Sequence, residues 1–143
     1  MISTEMPCRA SAASVHELRV DVDAWSVWSP HVASVEAWER RITPGWTGAT
    51  SAFFAPGATT MTVDELVPDG GYRWHSRFGP WRLDYENRVD AAATGCLLRF
   101  TARLSGPGSR AIERLVAPIS AYGQRRRMNR LARLAELMER TSP

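Results

Sequence analysis

The chain has no lysine, and all 18 of its basic residues are arginine. Without a side-chain amine it forms no lysine Schiff base and cannot supply the lysine of a phosphate-binding P-loop. Cysteine is nearly as scarce: Cys8 and Cys96 stand far apart, with no C-x-x-C pair and no histidine at ligand spacing. No metal site is therefore expected, and both cysteines read as reduced packing thiols. G-x-G-x-x-G and G-x-S-x-G are missing, which removes the dinucleotide and nucleophile-elbow fingerprints, and no spacing nominates a Ser-His-Asp arrangement. No cofactor is expected. No apolar run approaches the roughly 20 residues of a membrane-spanning helix, and MISTEMPCRA lacks the basic and apolar regions of a secretory leader. The expectation is a cytoplasmic protein with no integral membrane segment.

What is present fits one soluble domain over residues 1–143, with 44% apolar and 23% charged residues. The net charge of +3 is modest, and much of the excess sits in GQRRRMNRLARLAELMER. A charged helix face explains it more cheaply than nucleic-acid binding, so no nucleic-acid partner is expected.

Two periodicities divide the chain. The segment GYRWHSRFGPWRLDYENRVD alternates with period two: Tyr72, Trp74, Ser76 and Phe78 share one face, Arg73, His75 and Arg77 the other. After the Gly79-Pro80 turn, Trp81, Leu83, Tyr85, Asn87 and Val89 oppose Arg82, Asp84, Glu86 and Arg88. GCLLRFTARLSG repeats the pattern, with Cys96, Leu98, Phe100, Ala102 and Leu104 on the apolar side. Such one-sided strands are those of an antiparallel sheet with one wet face. Less regular strands are expected near 2–9, 32–42, 49–55 and 58–67. SAASVHEL and DVDAWSVW read as two short helices, with Ser11 or Ser14 and Asp21 as N-caps. From Ser109, read as a cap, a helical pattern runs to about 140. Ile112, Leu115, Val116, Ile119 and Tyr122 make one stripe, Leu131, Leu134 and Met138 another, and Pro118 between them predicts a kink.

Strand, two short helices, six strands and a long C-terminal helix is the order of the helix-grip fold. The chain resembles the START-like SRPBCC superfamily, nearest to its polyketide cyclase/dehydrase-like branch. The residues that carry the resemblance are SAASVHELRVDVDAWSVWSPHVASVE, PGWTGA, MTVDELVPDGGYRW and RLARLAELME, in that order and across nearly the whole chain. The resemblance implies an α+β domain: a seven-stranded antiparallel sheet wrapped around the C-terminal helix, with an apolar cavity between them for a small hydrophobic ligand. Periodicity agrees independently, since a one-sided sheet facing a kinked helix leaves a concave gap.

Parity turns Trp74, Phe78, Trp81 and Phe100 inward as ligand contacts, each equally at home as plain core. Polar groups on that face are more informative, because burying them requires a partner or a ligand. They are Tyr72, Ser76, Tyr85 and Asn87, with Tyr122 and Ile119 expected to face them from the helix. Glu65 shares the parity of Met61 and Val63; turned inward it would be a general base with a raised pKa, and a strand-end bulge would instead turn it to solvent. With Tyr85 and Tyr72 it completes the candidate catalytic set. His75 falls on the wet face, and His31 lies nearer the cavity mouth. Trp25 and Trp28, at i and i+3, anchor the short helices, and Trp28 is the one expected to touch ligand. Arg125, Arg126, Arg127 and Arg130 read as a solvated face, balanced by Glu136 and Glu139 through pairing to Arg133 or Arg140. The alternative is that Arg126 or Arg127 leans into the cavity toward an anionic or carbonyl-rich ligand.

Two main functions follow. One is binding of a hydrophobic, aromatic or polyketide-like ligand; the other is a polyketide cyclase, aromatase or dehydratase working by positioning and acid-base help in the same cavity. An interaction surface on the arginine-rich helix is a third, less favoured reading. A homodimer stays open as the assembly.

Overall fold

The computed structural model describes residues 1–29, 32–52 and 58–142. His31 and the outer end of the strand expected at 49–55 lie outside them. The elements run β1 (Ile2–Cys8), α1 (Ala12–Val20), a 3-10 turn (Val22–Ala24), α2 (Trp25–Trp28), β2 (Val32–Glu36), β3 (Thr47–Ala52), β4 (Ala58–Val67), β5 (Gly71–Phe78), β6 (Trp81–Ala92), β7 (Gly95–Ser105) and α3 (Ser109–Thr141). Every strand pairing is antiparallel, in the order β1-β7-β6-β5-β4-β3-β2. This is the helix-grip α+β architecture. No helix of the described residues is long and apolar enough to cross a membrane, and none of their His, Cys, Asp and Glu side chains form a group of three or more that could hold a metal ion.

The period-two pattern sets the sheet's register. Tyr72 lies opposite Asn87, Trp74 opposite Tyr85 and Ser76 opposite Leu83. One strand further, Asn87 pairs with Phe100 and Val89 with Leu98. The β4–β5 turn depends on Gly71, whose φ is +101° and where an added Cβ would overlap the Asn87 carbonyl oxygen of β6. The strand expected over 32–42 stops at Glu36, because Arg40 and Arg41 turn back to α1 and the 3-10 turn: Arg40 bonds Asp23 at 2.6 Å and Arg41 bonds Glu17 at 2.8 Å.

The core is concentrated at one end of α3. Met128, Leu131, Ala132 and Ala135 are buried, whereas no residue of α3 before Met128 is. They join a cluster that includes Cys8, Val15, Leu18, Cys96 and Leu98. Cys8 and Cys96, distant in sequence, are directly opposite across β1 and β7, and both are buried free thiols. Burial pushes the Cys96 thiol up to about 12. α3 runs uninterrupted through the exposed Pro118. Its first helical residue is Ser109; the cap position belongs to Gly108, left-handed at φ 65°, so the hydroxyl cap expected from Ser109 does not form.

Glu136 and Glu139 do not pair with the helix arginines as expected. Glu136 Oε1 accepts from the Arg9 backbone N–H at 3.0 Å, and Glu139 Oε1 from the Ser11 N–H at 2.8 Å and the Ser14 hydroxyl at 2.7 Å. Two carboxylates of α3 thereby hold the β1–α1 connection. Ser11 is the N-cap of α1, accepting from the Ser14 N–H at 3.2 Å. These hydrogen bonds hold the Glu139 carboxyl below the ordinary glutamate value. A depressed folded pKa contributes stability that is present above the unfolded value and lost as pH falls through the folded one. Ser11→Ala should cost about 1 kcal/mol in denaturant unfolding at pH 7. Glu139→Gln should flatten the loss of stability below pH ~4.3, the unperturbed glutamate range; an unchanged acid limb would rule out this carboxylate as the clamp.

Candidate functional site

Between the sheet and the unburied half of α3 lies a cavity of about 270 Å³. Its floor comes from β5 and β6 through Tyr72, Trp74, Ser76, Leu83, Tyr85 and Asn87, and its side wall from Trp25, Trp28 and Ser29. β3 and β4 add Thr50, Ser51 and Thr59 to the lining. Phe78, Leu83 and Tyr85 are shared with a second, more apolar space of about 210 Å³, which continues over Phe100 and Leu104 beneath Ile112 and Val116. The two spaces form a partitioned groove with Tyr85 at the partition. Other indentations lie on the sheet's outer face, among ion-paired groups such as Arg73, Glu65, Arg88 and Asp90.

The side wall is positioned by hydrogen bonds to the end of α1. A helix leaves its last carbonyls without partners. Here the Trp28 indole donates to the Leu18 carbonyl at 3.2 Å, and the Arg19 carbonyl accepts from the Trp25 indole at 2.8 Å and the Tyr72 hydroxyl at 3.2 Å. Three cavity residues thus cap one helix. Trp25 also meets the ring of Trp46 edge-on at 5.8 Å. The tryptophan pair anticipated as an anchor is one, and both members also line the cavity.

On the floor, Trp74 stacks on Tyr85 with ring centroids 4.0 Å apart, and Tyr85 is tilted against Phe100 at 5.4 Å. Tyr72 is buried beside Asn87, and burial pushes its phenol up to about 12. Burial also raises Tyr85, opposed by the nearby Arg127 cation. At neutral pH both phenols are therefore proton donors rather than bases. The Trp74 indole N–H and the Ser29 hydroxyl are buried with no partner among the described residues.

Arg127 enters the cavity from α3. Its guanidinium lies 5.5 Å from the Trp28 ring centroid, and Nη1 donates to Gln124 Oε1 at 3.1 Å. Nε is buried without a partner, and burial lowers the pKa of the group. The neighbouring Arg19 is buried as well, its Nη1 bonded to the Arg88 carbonyl at 3.0 Å, and burial lowers it to about 10.

Of the residues expected from sequence, Tyr72, Tyr85, Trp28, Trp74, Ser76, Phe78 and Asn87 line the first space, and Phe100 lines the second. Four lie elsewhere. Glu65 is turned outward by a β-bulge: Val63 pairs with Trp74 and Glu65 with Arg73, leaving Asp64 as the extra residue. Glu65 accordingly bonds Arg73 at 2.5 Å on the outer face, its side chain 50% exposed, and provides no base to the cavity. Trp81, at the hairpin turn, donates its indole N–H to the Pro107 carbonyl at 2.9 Å and lines neither space. Ile119 and Tyr122 are 77% and 69% exposed, as is Leu115 at 79%, so these three members of the expected stripe face away from the sheet. The inward face is Ile112, Val116, Ser120, Gln124 and Arg127. Trp25, Ser29 and Thr50 were not anticipated. Of the two arginines named as alternatives, Arg127 faces inward and Arg126 is exposed.

No family model and no curated protein matches the sequence. Solved structures do match in fold. The di-domain ARO/CYC StfQ of the steffimycin biosynthetic pathway superposes with TM-score 0.81 at 10% identity, over 96% of this chain and 51% of that one. DynU16, from the dynemicin biosynthetic locus, gives 0.70 at 19% identity, over 94% and 46% of the respective chains. Ara h 8.0201 gives 0.66 at 13% identity, over 91% and 95%. At these identities the likeness is one of fold.

The buried phenol makes a testable signature. A tyrosine raised in the folded state contributes stability that is complete below the unfolded value and lost as pH climbs to the folded one. Stability should therefore decline between about pH 10, the unperturbed tyrosine value, and the Tyr72 value of about 12. Tyr72→Phe should remove one raised phase, near pH 12, from the ultraviolet tyrosine titration, leaving that of Tyr85, and flatten that decline; a titration and an alkaline limb unchanged in the variant would show that Tyr72 is not a raised phenol.

Proposed function

We propose that the protein binds a small, planar hydrophobic ligand between its sheet and C-terminal helix. The observation that supports this most is an aromatic-lined cavity whose lining residues Trp74 and Ser29 carry buried polar atoms with no partner among the described residues. Buried donors without acceptors each cost about 1–3 kcal/mol, and a ligand or ordered water that accepts from them recovers that cost. The stacked Trp74–Tyr85 pair and Trp28 supply flat apolar surface, and the roles assigned to Tyr72, Ser76, Phe78, Asn87 and Phe100 are contacts with that ligand. Such pockets select by shape and burial with a few placed polar groups.

A second reading, an aromatase, cyclase or dehydratase acting on a poly-β-carbonyl substrate, is favoured by one observation. Tyr85 lies at the junction of the two spaces, protonated at neutral pH and near the Arg127 cation, as a proton donor to a ligand carbonyl requires. The fold likeness to StfQ supports it only as analogy.

Native mass spectrometry of the purified protein should reveal a retained small molecule, and Ser76→Phe, which fills the cavity floor, should lower its occupancy at least tenfold. Absence of any retained mass, together with no thermal shift from a panel of aromatic compounds, would contradict the binding reading. Incubation with poly-β-carbonyl compounds separates the second: loss of water from the bound mass supports an enzyme. Tyr85→Phe should then slow turnover by about a hundredfold or more, and full turnover in that variant would remove Tyr85 from the chemistry.

A further inference from the structure

We infer that the ligand is an anion, a planar aromatic carboxylate whose acid group is held by Arg127. This rests on the reading of the cavity as a ligand site and extends it to the chemical class bound. A half-buried guanidinium is costly unless an opposite charge accompanies it. Arg127 has none: no Asp or Glu lines the cavity, and among the described residues it makes no ion pair. The residues outside the described ones carry no acidic side chain either. Among the described residues the only side-chain acceptor bonded to it is the neutral oxygen of Gln124, which takes one of five guanidinium N–H groups. Arg19 adds a second buried positive charge nearby, itself without a carboxylate.

The uncharged groups around the cation have the same bias. The Trp74 indole can only donate, and its buried N–H is unpartnered. Tyr85 is a neutral phenol at neutral pH. A cavity with a free cation and an excess of donors is complementary to a ligand rich in acceptors and negative in charge. The guanidinium carbon lies over the Trp28 ring at 5.5 Å, and arginine gives planar carboxylates two parallel charge-assisted hydrogen bonds. Trp74 and Tyr85, stacked at 4.0 Å, provide the surface for an attached ring. The second space beyond Tyr85 has no such cation, its one lining carboxylate, Glu113, accepts from the Leu104 N–H, and its apolar wall takes the remainder of a longer ligand.

The test compares 2-naphthoate with 2-naphthamide, nearly equal in shape and different in charge, by quenching of tryptophan fluorescence at 0.15 M salt. The wild-type protein should bind the acid about tenfold or more tightly than the amide, in keeping with a charge-assisted bond. Arg127→Gln should abolish that preference, the acid and the amide then binding within about twofold of each other, and Arg126→Gln, on the exposed side of the same helix, should keep it. Equal wild-type affinities would overturn the inference without touching the cavity reading, and they require no variant. A preference that survives Arg127→Gln, or that disappears with Arg126→Gln, would overturn it too, by placing the attraction on the helix surface. Failure of both compounds and of naphthalene itself to bind would overturn the cavity reading and this inference with it.

Discussion

The cavity depends on α3 being packed along only half its length. Met128, Leu131, Ala132 and Ala135 bury themselves against β1, β7 and α1, and Glu136 and Glu139 clamp the β1–α1 connection to the same end. Close packing and these hydrogen bonds fix the axis of the helix there. The preceding turns then project over the concave sheet, where their inward side chains turn from apolar to polar, from Val116 to Ser120 and Gln124. A fully apolar inner face would draw the helix onto the floor and fill the space. The same end also fixes the wall, since the carbonyls closing α1 receive Trp25, Trp28 and Tyr72.

Electrostatics give that space its character. The outer face of the sheet is an ion-pair lattice in which each partner is solvated, such as Arg73 with Glu65 and Arg99 with Glu5. Exposed pairs of this kind contribute little to stability. Around the first inner space the balance is opposite: Arg127 lines it with Arg19 buried nearby and no carboxylate among its lining residues, while Glu113, at the second space, accepts from the Leu104 N–H. Burial lowers both arginines and raises both inward tyrosines, so the site at neutral pH is a cation surrounded by neutral donors.

Much of this is legible in the amino-acid sequence, and the exceptions have physical causes. Strict alternation places Tyr72, Trp74, Ser76, Tyr85 and Asn87 on one face because a strand has a period of exactly two and β5 and β6 contain no bulge. Glu65 escapes the same rule because a single extra residue, Asp64, shifts the register of β4, and no residue type there announces it. The inward face of α3 is misread for a different reason. Amphipathicity identifies the side of a helix that packs, and the first half of α3 does not pack: its greasiest stripe, Leu115, Ile119 and Tyr122, points outward, while the side over the cavity is mixed. Arg127 is hidden in a basic run for that reason, and only its place one turn before the buried Leu131 separates it from Arg126.

The central claim, that this half-gripped helix roofs a ligand site, is tested most directly by the indole N–H signals of the six tryptophans in a proton–nitrogen correlation spectrum during a 2-naphthoate titration. Trp28 and Trp74 should move first and furthest, because both line the cavity and the Trp74 N–H has no partner among the described residues. Trp38, 96% exposed, and Trp81, bonded to Pro107, should stay in place. Shifts confined to Trp38 and Trp81, with Trp28 and Trp74 unmoved at saturation, would contradict it.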